Sequence, residues 1–144
     1  MIFMEEKGRT LLLIKPDGVK RGLIGKIVQR IEQKGLKIIE LKIVSVDERT
    51  AGRLYAEHVH KQFFSSLVDY IMSGPVVAMV LEGKNVVSVV RSMVGATDPS
   101  KAMKGTIRGD FASSLTQNTV HASDSLESAK REISIFFDES KFIE

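Results

Sequence analysis

Leu11-Leu12-Leu13-Ile14-Lys15-Pro16-Asp17-Gly18 is an apolar run that stops at a group of turn-forming residues. A continuous apolar run bounded in this way predicts a short buried strand. Pro, Asp and Gly each favour turns, so we expect a tight loop directly after the strand. Lys15 then lies at the point where the buried strand ends.

The residues that follow predict a helix and a second strand. Gly35 is placed to end the helix, whose apolar residues recur at helical spacing at Ile24, Ile27, Val28 and Ile31. Leu36 to Val46 is rich in β-branched residues, and polar residues alternate with apolar ones at its centre. This alternation predicts a strand with one wetter face.

The middle of the chain predicts a pair of helices and a third strand. Asp47 is suited to cap the first helix. Gly74 and Pro75 close the second helix, whose apolar face carries Phe64, Leu67, Val68 and Ile71. Val76 to Leu81 is again a continuous apolar run and predicts a buried strand.

The C-terminal third predicts a helix, a long loop, a strand and a last helix. Valines recur at helical spacing at Val86, Val87, Val90 and Val94, whereas Gly95 to Gln117 has no periodicity. Long loops in compact domains tend to be functional. Thr119 to Ala122 predicts a short strand, and Asp124 with Glu127 resembles a capping box that opens the last helix.

The order of these elements predicts an α+β fold. Without the helical pair it reads βαββαβ, the pattern of a ferredoxin-like sandwich with a four-stranded antiparallel sheet, here with an inserted helical hairpin and a C-terminal helix. We expect a single domain over residues 1–144, with residues 1–8 as an N-terminal extension. In this topology the first and last strands are neighbours, so Lys15 should lie close to His121.

Composition limits the classes of function. The 144 residues contain no cysteine, so disulfide frameworks and thiolate chemistry are excluded. No apolar run is long enough to span a bilayer, and residues 1–7 are too acidic for a secretory signal. The net charge of +3 suits ligands that bear phosphate, but it is too small to indicate a nucleic-acid partner. We therefore expect a cytoplasmic protein that needs neither membrane nor nucleic acid.

Three histidines are candidates for chemistry. His58 and His60 are two positions apart near the end of a predicted helix, so a shared metal ion is not expected and surface or capping roles are. His121 lies on a short strand after the polar loop. It is either a half-buried structural histidine or a reactive one, and both interpretations remain open from the residues alone.

Basic residues at the ends of elements suggest an anionic ligand. Lys15, Arg91 and Arg108 are placed where they could face one phosphate group, although solvated surface charge is the ordinary alternative. The P-loop, the dinucleotide-binding glycine motif and the protein-kinase motifs are all absent from the sequence.

Several motifs in order resemble those of nucleoside diphosphate kinases. The segment Asn118-Thr119-Val120-His121-Ala122-Ser123-Asp124-Ser125 resembles the active-site signature of that family. Further likenesses occur at residues 14–19, 63–64, 73–77, 95–99, 105–110 and 126–137, which together cover most of the chain. Thr116-Gln117 looks closer to bacterial members than to animal ones, and Ala122 replaces a common Gly.

The resemblance implies a transfer of the γ-phosphate of a nucleoside triphosphate to a nucleoside diphosphate, with broad tolerance of the base and ping-pong kinetics. It implies that His121 is phosphorylated on its pros nitrogen, that Glu132 orients the other ring nitrogen, and that Mg²⁺ is required, with Asp124 as an indirect contact. The other implied site residues contact the phosphates, the ribose or the base, and are Lys15, Tyr55, Phe63, Arg91, Thr97, Arg108 and Asn118.

The resemblance also implies a homo-oligomer, a tetramer or a hexamer. One alternative of another class remains, namely a ferredoxin-like nucleic-acid-binding or regulatory module without turnover. RNA-binding modules of this topology use aromatic residues on the sheet, whereas the strands here carry aliphatic ones.

Overall fold

The computed structural model describes residues 7–115 and 117–142. Four strands form one antiparallel sheet in the order β2-β3-β1-β4, with bounds β1 (Lys7–Ile14), β2 (Lys37–Val44), β3 (Val76–Lys84) and β4 (Val120–Ala122). Residues 1–6 of the predicted N-terminal extension lie outside the described residues, as does Thr116, whereas Lys7 and Gly8 belong to β1.

Helices account for the rest of the regular structure within residues 7–115 and 117–142. One-turn 3₁₀ helices span Ala56–His58, Pro99–Lys101 and Glu139–Lys141. The α-helices are α1 (Pro16–Lys20), α2 (Ile24–Gln33), α3 (Glu48–Leu54), α4 (Phe64–Ile71), α5 (Val86–Val94), α6 (Ile107–Phe111) and α7 (Leu126–Phe136). The pair α3 and α4, here called the inserted hairpin, lies between β2 and β3. The predicted ferredoxin-like order with an inserted hairpin and a C-terminal helix is confirmed.

The pairing of strands in the sheet brings Lys15 close to His121. β1 lies between β3 and β4, and Leu13 of β1 pairs with His121 of β4. Lys15 directly follows β1, and its backbone N–H donates to the carbonyl of Thr119 at 2.8 Å. The predicted proximity of Lys15 and His121 is therefore a consequence of strand register.

Helices cover the central strands on both faces of the sheet, because these strands are apolar on both sides. One face packs against α2 and α5, with Leu12, Ile14, Ile27, Ile31, Met79 and Val90 in its core. The other packs against the inserted hairpin and α7, with Leu11, Leu13, Leu54, Val80, Ile71 and Ile133 in its core. The sheet is thus a buried scaffold, and the polar chemistry lies beyond its strand ends.

Three local predictions need correction. Pro16–Lys20 forms a short helix instead of a tight loop, since Pro at the first helical position has no N–H to leave unpaired. The segment 95–117 contains the helices Pro99–Lys101 and α6, which are too short to give a periodic pattern. The cap of α7 is Ser125 instead of Asp124, because the Ser125 side chain accepts from the Ser128 N–H.

β2 forms one edge of the sheet and carries exposed apolar side chains. Leu41 is 44% exposed and Ile43 is 64% exposed, both on the face that α2 and α5 cover elsewhere. In the described part of the chain, every helix is too short or too polar to cross a bilayer.

Candidate active site

A cavity of about 610 Å³ opens at the end of the sheet where Lys15 and His121 lie. Its walls come from the inserted hairpin, the segment 95–118, β4 and α7. All ten residues predicted from the sequence line this one cavity, namely Lys15, Tyr55, Phe63, Arg91, Thr97, Arg108, Asn118, His121, Asp124 and Glu132. Their proximity is a finding, whereas their roles in catalysis stay predictions.

Among the described residues, His121 has a hydrogen-bond partner at one ring nitrogen only. Its Nε2 lies 2.6 Å from Oε1 of Glu132, which is 4% exposed on α7. Ser123 Oγ donates to the same oxygen at 2.9 Å. A carboxylate can only accept, so in the neutral ring Nε2 carries the proton and Nδ1 keeps a lone pair. The other carboxylate oxygen of Glu132 lies 3.6 Å from Arg131 Nη2.

Tyr55 presents a buried hydroxyl to the same space. It caps the C-terminus of α3, and its ring meets the His121 ring edge-on, with 6.0 Å between the centroids. Burial, and then the charge of Glu132, raise the pKa of Tyr55 above its usual range, so the phenol stays protonated. Its hydroxyl has no partner among the described residues and is free to donate to a ligand.

Two buried cations face the cavity. Burial, and then the charge of Arg108, lower the pKa of Lys15 to about 8. Burial, and then Arg91, lower the pKa of Arg108 to about 10. Arg108 donates to the carbonyls of Gly95 at 3.1 Å and Val120 at 2.9 Å, but its Nε has no partner in the described part of the chain. Such clustering of cations costs free energy, and an anion would relieve that cost.

Lys15 also belongs to a polar chain at the cavity wall. Its Nζ donates to Asn118 Oδ1 at 2.8 Å, and Asn118 Nδ2 donates to the carbonyl of Thr97 at 3.3 Å. Arg91 reaches the carbonyl of Ala122 at 3.4 Å from the last turn of α5. These contacts fix the directions in which the cations and the amide point.

Phe63 is a half-exposed ring at the mouth of the cavity. It is 48% exposed and precedes α4, with Lys61 Nζ 5.4 Å and the His58 ring 5.6 Å from its centroid. The packing leaves part of the ring surface available to a planar ligand.

Several lining residues were not predicted. His58 lies in the 3₁₀ helix Ala56–His58 and is half-buried in the cavity wall, a position that the prediction of a surface or capping role did not include, whereas His60 is exposed. Burial, and then Lys61, lower the pKa of His58, which keeps it neutral. Leu67 and Leu115 are apolar residues of the cavity wall. Leu67 was assigned to a helix face only, and nothing marks Leu115 as more than a loop residue.

The arrangement favours chemistry on a polyphosphate. It offers an imidazole nitrogen as a candidate nucleophile, a carboxylate that orients the ring, and cations and a phenol as donors to phosphate oxygens. Among the described residues, no group of three or more His, Cys, Asp or Glu could hold a metal ion. The hydrogen bond with the Ser128 side chain is the main cause that lowers the pKa of Asp124, so this carboxylate at the cavity wall is ionised.

Comparison with known proteins gives one family. The model of the family described as nucleoside diphosphate kinase matches residues 8–142. Over 132 residues the chain is 59% identical to a nucleoside diphosphate kinase of Saccharolobus solfataricus, with 92% of this chain and 96% of the relative covered. Over 135 residues it is 60% identical to that of Sulfurisphaera tokodaii, with 94% and 92% covered.

Solved structures agree in fold over the same range. The nucleoside diphosphate kinase of Halobacterium salinarum in complex with CDP superimposes with a TM-score of 0.93 at 48% identity, covering 96% of this chain and 93% of that one. The Aquifex aeolicus nucleoside diphosphate kinase gives a TM-score of 0.92 at 39% identity, covering 96% and 100%.

Proposed function

The chain belongs to the nucleoside diphosphate kinase family, which are phosphotransferases, and on this premise we propose that it moves the γ-phosphoryl group between nucleotides through phosphorylated His121. The observation that supports this role is the hydrogen bond between His121 Nε2 and Glu132, the one bond that this ring makes within the described part of the chain. Glu132 holds Nε2, so Nδ1, the pros nitrogen, is the atom left to attack phosphorus.

In the proposed mechanism, Nδ1 accepts the phosphoryl group in the first half-reaction and gives it up in the second. The Nδ1 lone pair forms a bond to the γ-phosphorus while the bond from phosphorus to the bridging oxygen breaks, and the nucleoside diphosphate leaves. A terminal oxygen of a second nucleoside diphosphate then attacks the phosphohistidine and releases Nδ1. Glu132 keeps the ring in one orientation throughout and stabilises the positive charge that the ring gains on phosphorylation.

The charge on the moving phosphoryl group is matched by donors already in place. Lys15, Arg91 and Arg108 supply positive charge, and the unpartnered Tyr55 hydroxyl supplies a neutral donor. Phosphoryl transfer depends mainly on positioning and electrostatic stabilisation. Because Lys15 and Arg108 are buried before any ligand arrives, little reorganisation is needed during the reaction.

The rest of the nucleotide would extend from the phosphates to the mouth of the cavity. Phe63 stacks on the base, Lys15 and Asn118 contact the ribose hydroxyls, and Thr97 contacts phosphate. A stacking ring accepts every base, which supports broad base tolerance. The relative solved with CDP bound supports a nucleotide in this cavity.

A divalent cation, Mg²⁺, fits the donor set only through the nucleotide. The described residues lack a protein cage for a metal, and Mg²⁺ in kinases is often held largely by phosphates and water. Bound there, it would neutralise charge on the non-transferred phosphates. Asp124, an ionised carboxylate at the rim, would hold it indirectly through water.

The module without turnover is not favoured. A sheet-face platform for RNA needs an open sheet, whereas helices cover both faces here. The chemistry instead converges in a cavity beyond the strand ends.

We also propose a homo-oligomer, a tetramer or a hexamer, in the cytoplasm. Exposed apolar residues on an edge strand support self-association, because such an edge is a ready surface for another chain. The lack of cysteine suits a reducing compartment.

His121→Ala tests the assigned nucleophile. Exchange of phosphate between ATP and GDP should be lost, while ADP binding and urea unfolding stay close to the parent's. His60→Ala, at an exposed histidine, is the matched control and should keep full exchange. Exchange retained by His121→Ala would show that another group carries the phosphate.

A further inference from the structure

Thr119 has a strained backbone two residues before His121. Its φ is +74°, and the N–H of Val120 donates to the carbonyl of Asn118 at 2.8 Å. A bond that spans two residues around a positive φ is a γ-turn of the rare, strained form. For a β-branched residue such a φ is a true outlier. Strain of this kind persists only where the surroundings over-determine it, and it concentrates at functional sites.

The buried carboxylate of Asp17 is hydrogen-bonded to the side chain of Thr119 in this turn. It is 6% exposed, and its Oδ2 accepts from Thr119 Oγ1 at 3.1 Å. Its Oδ1 accepts from the Tyr70 hydroxyl at 2.6 Å, and that hydroxyl in turn accepts from the Asp17 N–H at 2.7 Å. Both carboxylate oxygens therefore accept hydrogen bonds, and the bond from Tyr70 links α1 to α4 of the inserted hairpin.

The turn separates two halves of the site. On one side is Asn118, whose Oδ1 accepts from Lys15 Nζ, and on the other is β4 with His121. The space is tight as well, because a Cβ on Gly18 would lie 3.1 Å from Thr119 Cγ2 and 2.7 Å from Ile14 Cγ2. A small movement of Thr119 would therefore move Asn118 relative to the His121 ring.

We propose that Asp17, with Tyr70 and Thr119, is a positioning device that sets the distance between the nucleotide contacts and the reacting nitrogen of His121. The proposal rests on the function proposed above for His121. None of the three residues lines the cavity, so each acts through its neighbours. Misplacement of reacting groups by about 1 Å can cost on the order of a hundredfold in rate. Disrupting this positioning device should therefore lower the rate of transfer more than it lowers nucleotide affinity.

Thr119→Val is the sharpest test because it keeps the branched shape and removes only the hydroxyl. The single-turnover rate of His121 phosphorylation at saturating ATP should fall about tenfold or more, with the Kd for ADP within about twofold of the parent's. Thr119→Ser, which restores the hydroxyl, should recover most of the rate. Tyr70→Phe should slow the same step in the same way.

Thr10→Val is the matched control. Thr10 is fully buried on β1 and its hydroxyl has no partner among the described residues, so the same chemical change should leave the rate unchanged. A merely structural role would lower the urea midpoint without slowing the saturated step, and that result would overturn the proposal, as would a rate for Thr119→Val equal to the parent's. Failure of the assigned nucleophile can be distinguished from failure of this proposal. In the first case the His121→Ala protein would retain label, while the Thr119 variants would still report on positioning.

Discussion

Lys15 is a buried cation whose charge depends on pH close to neutrality. With a pKa of about 8, against 10.5 for an ordinary lysine, it loses its proton in the folded protein before it would in the unfolded chain. The unfolded chain then binds more protons over roughly that window. Stability should therefore rise as pH increases from about 8 towards 10.5, while the charge available for catalysis disappears.

The predicted consequence is an alkaline limb in kcat/KM near pH 8, since this parameter reports on the free enzyme. The limb in kcat should lie at higher pH, because bound phosphates favour the charged amine. Initial rates from pH 6 to 10 would check this. Lys15→Met should be slow and lack the limb, whereas Lys130→Met, at an exposed position, should retain it. A limb that persists in Lys15→Met would assign it to another group.

Phe63 is expected to provide base affinity without base selectivity. Phe63→Ala should weaken binding by about 1–3 kcal/mol, and by similar amounts for ADP, GDP and CDP, because stacking accepts any base. Calorimetric titration with the three diphosphates measures this. Phe111→Ala is the control, since that ring packs under Arg30 away from the cavity. A loss confined to the purine nucleotides would contradict this mode of recognition.

Whole elements were predictable from the sequence where their signal is continuous. The apolar runs of β1 and β3 and the helical spacing in α2 and α5 need only local patterns. Short elements escaped, since the five residues of α1 or of α6 are fewer than two helical turns.

The residues of the site were likewise predictable where they lie in a continuous stretch of sequence. Residues inside contiguous motifs, such as His121 and Asn118, were found because the resemblance carried them. The hydrogen bonds of Asp17 with Tyr70 and Thr119 were not predicted. These two partners lie 53 and 102 positions from Asp17 and meet it only in the folded chain. The place of His58 in the cavity wall was not predicted either, because the 3₁₀ helix Ala56–His58 is too short to give a periodic pattern.

Ser125 should be worth about 1 kcal/mol as the cap of α7. Ser125→Ala leaves the Ser128 N–H without its acceptor, so the urea midpoint should fall. Ser134→Ala, within the same helix, is the control. Its hydroxyl bonds back to the carbonyl of Arg131, and Ala is the better helix former, so stability should hold or rise. Equal effects of the two changes, measured at one protein concentration, would contradict the assigned cap.

On the scale of the whole molecule, the described residues leave the β2 edge of the sheet uncovered. Ile43 and Leu41 expose apolar surface on β2, and we predict an assembly larger than a dimer at micromolar concentration. Ile43→Lys places a charge on this edge and should lower the mass measured by light scattering. Val59→Lys alters a residue of similar exposure on the inserted hairpin and should not. A monomeric parent protein would contradict the proposed oligomer.

The fold also accounts for the surroundings that the proposed role of His121 requires. Strand register places His121 beside the buried end of β1, α7 supplies Glu132 to hold its ring, and the inserted hairpin closes the cavity with Tyr55 and Phe63. The central claim is that these elements serve a phosphohistidine whose phosphate any nucleoside diphosphate can accept.

That claim is tested most directly by isolating the phosphorylated protein. Incubation with γ-labelled ATP and Mg²⁺, without an acceptor, should give a protein phosphate that is labile in acid and stable in alkali. Peptide mapping should place it on the pros nitrogen of His121, and ADP, GDP or CDP should each remove it as the matching triphosphate. Label that maps to another residue, or that no diphosphate removes, would contradict the account.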